Sequence, residues 1–190
     1  MIKVYTALIT DFTQADYAKM YSLLDCAIKA KIDSKKSKDE KKRSLAGYIL
    51  LYKGAEELYK KTKFDITFNE HGKPLCDFCF FNISHSKSHV VCAFCDVPIG
   101  VDIQKIYYIT PREKYKFFNQ KEKSYVNQNE YLRVERYIEI FTKKEAAVKM
   151  LGLSIANAAE IDVFSNEFCF EIQKTDGFTF CTCVRKSQIM

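Results

Sequence analysis

Three stretches of this 190-residue chain carry polar groups where apolar ones would be expected: Phe81-Asn82-Ile83-Ser84-His85-Ser86, Gly100-Val101-Asp102-Ile103-Gln104 and Phe141-Thr142-Lys143-Lys144-Glu145-Ala146-Ala147-Val148-Lys149. Their types and order predict one composite site. Between Pro98 and Ile106 the apolar Ile99, Val101 and Ile103 alternate with Gly100, Asp102 and Gln104, so a strand presents Asp102 and Gln104 on one face. That spacing suits two oxygen ligands for one hard cation. In the third stretch Tyr137, Ile138, Phe141, Val148 and Leu151 form one stripe of a helical wheel, and Lys144 and Glu145 fall inside it. Charge in such a place needs a partner, a ligand or a metal. Lys149 follows Glu145 at i+4 and so shares its flank, which is also the spacing of an ordinary surface Glu–Lys pair.

The elements that must position these groups follow from pattern and punctuation. The spacing predicts a strand at about 2–10, helices at about 13–30 and 38–61, and strands near 64–69, 78–85 and 90–96. Ser37 and Glu40 form a capping box for the second helix. A strand at 98–106 follows, then helices near 112–126 and 130–151 and strands near 160–164, 167–174 and 178–185. The last hairpin closes on Thr175-Asp176-Gly177. A β-α-α-β-β-β order thus occurs twice, which predicts an α+β fold of two similar lobes, 1–97 and 98–190, packed directly because no Pro/Gly/Ser linker marks the join.

The composition, 47% hydrophobic and 28% charged, is that of a soluble globular protein, and no apolar run approaches the ~20 residues needed to span a bilayer. The first ten residues lack a signal-peptide cleavage pattern, so a cytoplasmic location is expected. The net charge of +6 is concentrated in lysines at 29–42 and 114–123. No nucleic-acid motif accompanies them, and solvated faces, an acidic partner or a polyphosphate ligand explain the bias. Lys29 and Lys31 read as such a solvated face. Of eight cysteines, Cys76-x-x-Cys79 and Cys92-x-x-Cys95 have a zinc-ribbon-like separation. Their interiors lack the glycine that usually helps the tight turn of a knuckle, and 90–95 reads as a buried strand with Cys92 and Cys95 on opposite faces, so buried structural thiols are expected over zinc. A zinc-stabilised nucleic-acid-binding module is the rival reading.

In order, the segments resemble the 4'-phosphopantetheinyl transferases of the larger, two-lobed, surfactin-synthetase-activating type: F-N-[IV]-S-H-S, G-[IV]-D-[IV]-[EQ] and [WF]-x-x-K-E-[AS]-x-x-K, with Gly72-Lys73-Pro74 upstream where that family has G-K-P. The resemblance implies an intramolecular pseudo-dimer with its active site in the cleft between lobes. The activity it implies is transfer of the phosphopantetheine arm of coenzyme A to a serine of an apo acyl or peptidyl carrier protein, releasing adenosine 3',5'-bisphosphate, by a monomer needing neither nucleic acid nor membrane. It implies that Asp102 and Glu145, with Gln104, hold Mg²⁺, that Glu145 is also a candidate base, and that Lys149 and Lys144 balance charge on the leaving side, with Lys149 the nearer companion of Glu145. His85, Ser84, Lys73, Pro74, Arg43 and Asp102 would contact coenzyme A. The 107–125 segment would help dock an acidic carrier. Gln104 for the commoner glutamate removes a charged ligand, and Phe141 replaces tryptophan. A relative that binds coenzyme A without transferring is the second alternative.

Overall fold

The computed structural model describes residues 1–106, 115–175 and 177–188. The first half runs β1 (Lys3–Leu8), α1 (Gln14–Leu23), α2 (Cys26–Asp33), α3 (Lys38–Tyr59), a short ribbon of β2 (Thr67–Phe68) with β3 (Pro74–Leu75), and the hairpin β4 (Phe80–Ser86) and β5 (His89–Cys95). The second half runs β6 (Ile99–Lys105), α4 (Gln120–Asn127), α5 (Arg133–Leu151), β7 (Phe168–Thr175) and β8 (Phe178–Arg185). The two main sheets are ordered β1-β5-β4 and β6-β8-β7, antiparallel throughout. In both, the first strand pairs with the last and the middle strand lies beyond it.

The chain is therefore mixed α and β as expected, but the six-element repeat is not. The helix expected at 13–30 is two, because Leu24 is extended and buried while Asp25 accepts from the Ile28 amide at 2.8 Å to start a new helix. The strand expected at 64–69 survives only as Thr67–Phe68 in the ribbon. Residues 160–164 form no strand. They follow a 3-10 helix, Ile155–Glu160, and their backbone groups are taken by a buried ion pair instead of a ladder. Lys144, wholly buried, pairs with equally buried Glu122 at 3.0 Å and donates to the carbonyls of Ala158 and Ile161, while Glu122 accepts from the Val163 amide at 3.2 Å and the Asn119 amide at 2.8 Å. Of the helix expected near 112–126, the described part is a 3-10 turn at Tyr115–Phe117 and α4; 112–114 lies outside the described residues, as does Asp176 of the final turn, where Gly177 takes φ +75°. The Ser37–Glu40 capping box forms.

Three apolar clusters hold these elements. One packs α1, α2 and α3 on one face of the first sheet through Met20, Ile28, Leu51, Val90, Cys92 and Phe94. A second packs α4 and α5 on the second sheet. The third lies between the sheets and joins Val91, Ala93 and Cys95 to Ile99, Val101, Ile103 and Phe180. Strand β6 is thus buried on both faces, with its odd residues toward the first sheet and its even residues beneath α5.

Edge strands β4 and β6 meet without a ladder of their own. Side chains of β4 stand in for it: Asn82 Oδ1 accepts from the Val101 amide at 2.9 Å and Ser86 Oγ from the Lys105 amide at 3.2 Å. Helix α5 can lie on β6 because residue 100 has no side chain. A Cβ there would stand 1.9 Å from the Ala146 carbonyl oxygen and 2.5 Å from the Met150 nitrogen, both backbone atoms that cannot turn aside. We therefore expect Gly100→Ala to lower unfolding free energy by ~3 kcal/mol or more, read from the denaturation midpoint, since overpacking against backbone lies at the upper end of such effects.

The buried Lys144–Glu122 pair gives a second expectation. Lys144→Met leaves Glu122 buried with one cation fewer and should cost about 3–5 kcal/mol of stability. The rate of any catalysed step per folded molecule should hold within about twofold, because the lysine points into the core; a selective loss of that rate at unchanged stability would return Lys144 to the reaction.

Candidate active site

Strand β4, strand β6 and helix α5 each place a polar group at one point. Asp102, 2% exposed, is the centre. Its Oδ1 accepts from the Ser84 hydroxyl at 2.7 Å and from the Lys149 ammonium at 2.5 Å, and its Oδ2 accepts from the Gln104 amide at 2.8 Å. Lys149 also donates to Ser84 Oγ at 2.9 Å and stands 4.0 Å from Glu145 Oε2. The expected sharing of a face by Asp102 and Gln104, and of a flank by Glu145 and Lys149, is what brings these groups together.

Glu145 is the group whose electrostatics are least settled. Burial first, and the neighbouring Asp102 carboxylate second, push its pKa up to about 7, with Lys149 pulling the other way. One ammonium serves two carboxylates. A divalent cation fits such a surplus of negative oxygen, although among the described residues no three or more His, Cys, Asp or Glu side chains are placed to hold one. Asp102, Glu145 and the Gln104 amide would be the protein's share, and waters or a substrate's phosphates the remainder, as suits Mg²⁺.

Around this centre lie the other expected residues. His85 is at the open end of β4 and exposed to solvent, and crowding by neighbouring atoms, then the positive charges of Lys149 and Arg43, favour its neutral form. Arg43 reaches over from α3 and donates to the Lys87 carbonyl at 3.3 Å in the β4–β5 turn. A cluster of cationic and neutral donors therefore faces outward beside the carboxylates, an arrangement suited to an anion with several oxygens.

Several of the expected groups find partners within the protein. Lys144 is not at the site but in the core with Glu122, because it lies on the side of α5 turned toward α4. Lys73 directs its ammonium to the carbonyls of Ile99 and Met150, both at 3.2 Å, and burial lowers its pKa to about 8. Ser84 binds Asp102 and Lys149. Pro74 sits at the start of β3, half-buried, opposite Phe68. Lys31 is exposed, as expected of a solvated face, and its ammonium also lies 3.3 Å from the centroid of the Phe68 ring.

Sequence reasoning passed over Asn69, whose amide donates to the Gly152 carbonyl at 2.8 Å while its Oδ1 accepts from the His71 and Lys73 amides. It also assigned nothing to Asn82 or Gly100. The signal for Gly100 was present, a lone glycine in a run of β-branched residues opposite the small pair Ala146-Ala147. The two C-x-x-C pairs do not come together as four ligands: Cys92 joins the helix-side core, against which Cys76 and Cys79 also pack from a bend before β4, while Cys95 belongs to the cluster between the sheets.

Residues 98–187 match the 4'-phosphopantetheinyl transferase superfamily. The chain is 36% identical over 114 residues to the 4'-phosphopantetheinyl transferase gsp of Aneurinibacillus migulanus, covering 58% of this chain and 48% of that protein. It is 33% identical over 135 residues to 4'-phosphopantetheinyl transferase Sfp of Bacillus subtilis (strain 168), and 34% over 139 residues to 4'-phosphopantetheinyl transferase ffp of Bacillus subtilis, covering in each case 67% of this chain and 59% of the relative. The chain thus spans 48% to 59% of the length of these relatives. Asp102, Glu145 and Lys149 all lie inside the residues matched by the superfamily, and the chain is similar to Sfp-like 4'-phosphopantetheinyl transferases.

Proposed function

We propose that this chain transfers the phosphopantetheine arm of coenzyme A to a serine hydroxyl of an apo carrier protein and releases adenosine 3',5'-bisphosphate. The observation that carries the reading is the convergence of Ser84, Asp102, Glu145 and Lys149 at the meeting of β4, β6 and α5. In this reading residues 1–97 and 98–190 are two lobes of a pseudo-dimer, supported by their shared sheet order, and the nucleotide lies across their junction. Arg43 and His85 face its phosphates from the first lobe, with Lys73 and Pro74 at its edge.

Each residue then has a task that its surroundings favour. Glu145, which shares Lys149 with Asp102 at the meeting of the three elements, accepts the serine proton as the hydroxyl attacks phosphorus. Lys149 supplies positive charge where the departing phosphate gains negative charge. Asp102, fixed by Ser84 and Gln104, keeps that ammonium in place. Mg²⁺, held by Asp102, Glu145 and Gln104, would neutralise charge on the diphosphate when bound. The acceptor is an acidic carrier domain, attracted by the chain's net charge of +6; of the 107–125 surface expected to receive it, 107–114 lie outside the described residues. No helix of the described residues is long and apolar enough to cross a membrane. Eight free cysteines suit a reducing compartment, and we place a monomeric enzyme in the cytoplasm.

Incubation with coenzyme A, Mg²⁺ and a panel of apo carrier proteins should add the mass of one phosphopantetheine group to at least one carrier, and a chelator should abolish the gain. Binding of coenzyme A without any mass gain across the panel would establish a silent relative instead.

The raised pKa of Glu145 adds a pH signature. Between the ordinary carboxylate pKa of ~4.3 and about 7, the folded chain retains a proton that the unfolded chain has lost, so stability falls as pH rises through that window. Glu145→Gln should flatten the urea midpoint across it in metal-free buffer. The same variant should slow single-turnover transfer by a factor on the order of a hundred. If its midpoint tracks the parent at every pH while transfer stays within about threefold, Glu145 is neither the proton acceptor nor the strained carboxylate.

A further inference from the structure

The bend Asp77–Phe78 between β3 and β4 folds Cys76 against Cys79, with the two sulfurs 3.5 Å apart and both thiols free. The bend forms although its interior, Asp77-Phe78, holds no glycine. Cys76 Sγ also approaches the Cys79 carbonyl at 3.4 Å, so the bend closes on itself. Both residues are half-buried, and with Asp77, Phe78, Phe80 and Asp96 they line an open recess of about 290 Å³. A disulfide needs its sulfurs ~2.05 Å apart, which leaves about 1.5 Å of approach within a segment free of regular secondary structure.

The other cysteines are placed differently. Cys92, Cys95, Cys181 and Cys183 are buried, and burial pushes the thiols of Cys92, Cys181 and Cys183 upward, away from the reactive thiolate. Cys76 moves the other way, down to about 7, chiefly because the Cys79 thiol can donate to its sulfur. Cys79 is raised by the same bond.

We propose that Cys76 and Cys79 form a thiol–disulfide exchange site that takes small-molecule disulfides and converts the chain between a dithiol and an intramolecular disulfide form. The Cys76 thiolate attacks one sulfur of the disulfide RSSR; a protein–S–S–R bond forms, the R–S–S–R bond breaks, and RS⁻ leaves to take up the proton lost from Cys76. Cys79 then loses its proton and attacks Cys76 Sγ, forming the internal disulfide and expelling the second RS⁻, which that proton neutralises. Two protein thiols are oxidised by two electrons and one RSSR is reduced to two RSH. Excess small thiol reverses both steps. Cys76 follows Lys73 by three residues and Cys79 precedes Asn82 by three, so the oxidised form staples together the two approaches to the β4–β6 junction.

The test uses the whole chain in buffers of increasing ratio of oxidised to reduced glutathione, quenched with acid, alkylated and digested for peptide mass. The expected result is a peptide containing both Cys76 and Cys79, two hydrogens lighter and resistant to alkylation, formed reversibly while exposed Cys26 carries only glutathione adducts. Cys79→Ser should trap a glutathione adduct at Cys76, because the attacking thiol remains and the resolving one is gone; the denaturation midpoint of the variant reports that it is folded. A pair that stays reduced when Cys26 is fully adducted, or a reduced protein holding stoichiometric zinc on these thiols, would overturn the proposal. A folded Cys79→Ser variant that takes no adduct at Cys76 would overturn the assignment of Cys76 as the attacking thiol.

Discussion

A carboxylate removed from water must be given donors, and Asp102 receives three, each from a different part of the structure. Ser84 comes from the neighbouring sheet's edge, Gln104 from the same strand and Lys149 from the helix above. The demand of one acid for hydrogen bonds thereby ties β4, β6 and α5 together at a single point, and edge strands with no ladder of their own gain a reason to stay adjacent. Removing any of the three donors would leave the others to carry a buried charge. The candidate active site and the joint between the two halves are in this sense one feature.

Helix α5 also shows two ways of burying charge within two turns. Lys144 is fully enclosed and fully matched, with Glu122 and two carbonyls around it, and such a group has no hydrogen-bonding capacity left to offer a ligand. Glu145 and Lys149 lie on the adjacent face and are matched unevenly, as two carboxylates share one ammonium. The first arrangement organises the irregular segment after α5; the second leaves an acid that holds its proton well above the ordinary carboxylate range.

What could be read from the residues alone follows the same division. Alternation in β6 and the i+4 spacing on α5 are local, so Asp102, Gln104, Glu145 and Lys149 were legible, as was the α+β pattern. Lys144 was correctly seen to need a partner, but Glu122 lies 22 residues away on another helix and nothing local names it. The same pair explains the missing strand at 160–164, where apolar residues alternate suitably but the backbone finds its hydrogen bonds elsewhere. Lys73 was legible as a residue of consequence and not in its contacts. Its carbonyl partners belong to Ile99 and Met150, 26 and 77 residues on, and main-chain acceptors leave no trace in residue type.

Those carbonyls bear on how the halves act together. Helix α5 ends on Gly152 in a left-handed turn, φ +71°, which leaves its last oxygens turned outward. Asn69 takes the Gly152 carbonyl and Lys73 the Met150 carbonyl, both from the ribbon of the first half. A cation at that end of a helix also meets the negative pole of its dipole. The position of α5 is therefore set from below by the absent side chain of Gly100 and from its end by Asn69 and Lys73, while Glu145 and Lys149 ride on the helix so held. A displacement of the β2–β3 ribbon would thus reach Glu145 and Lys149 through the helix that carries them.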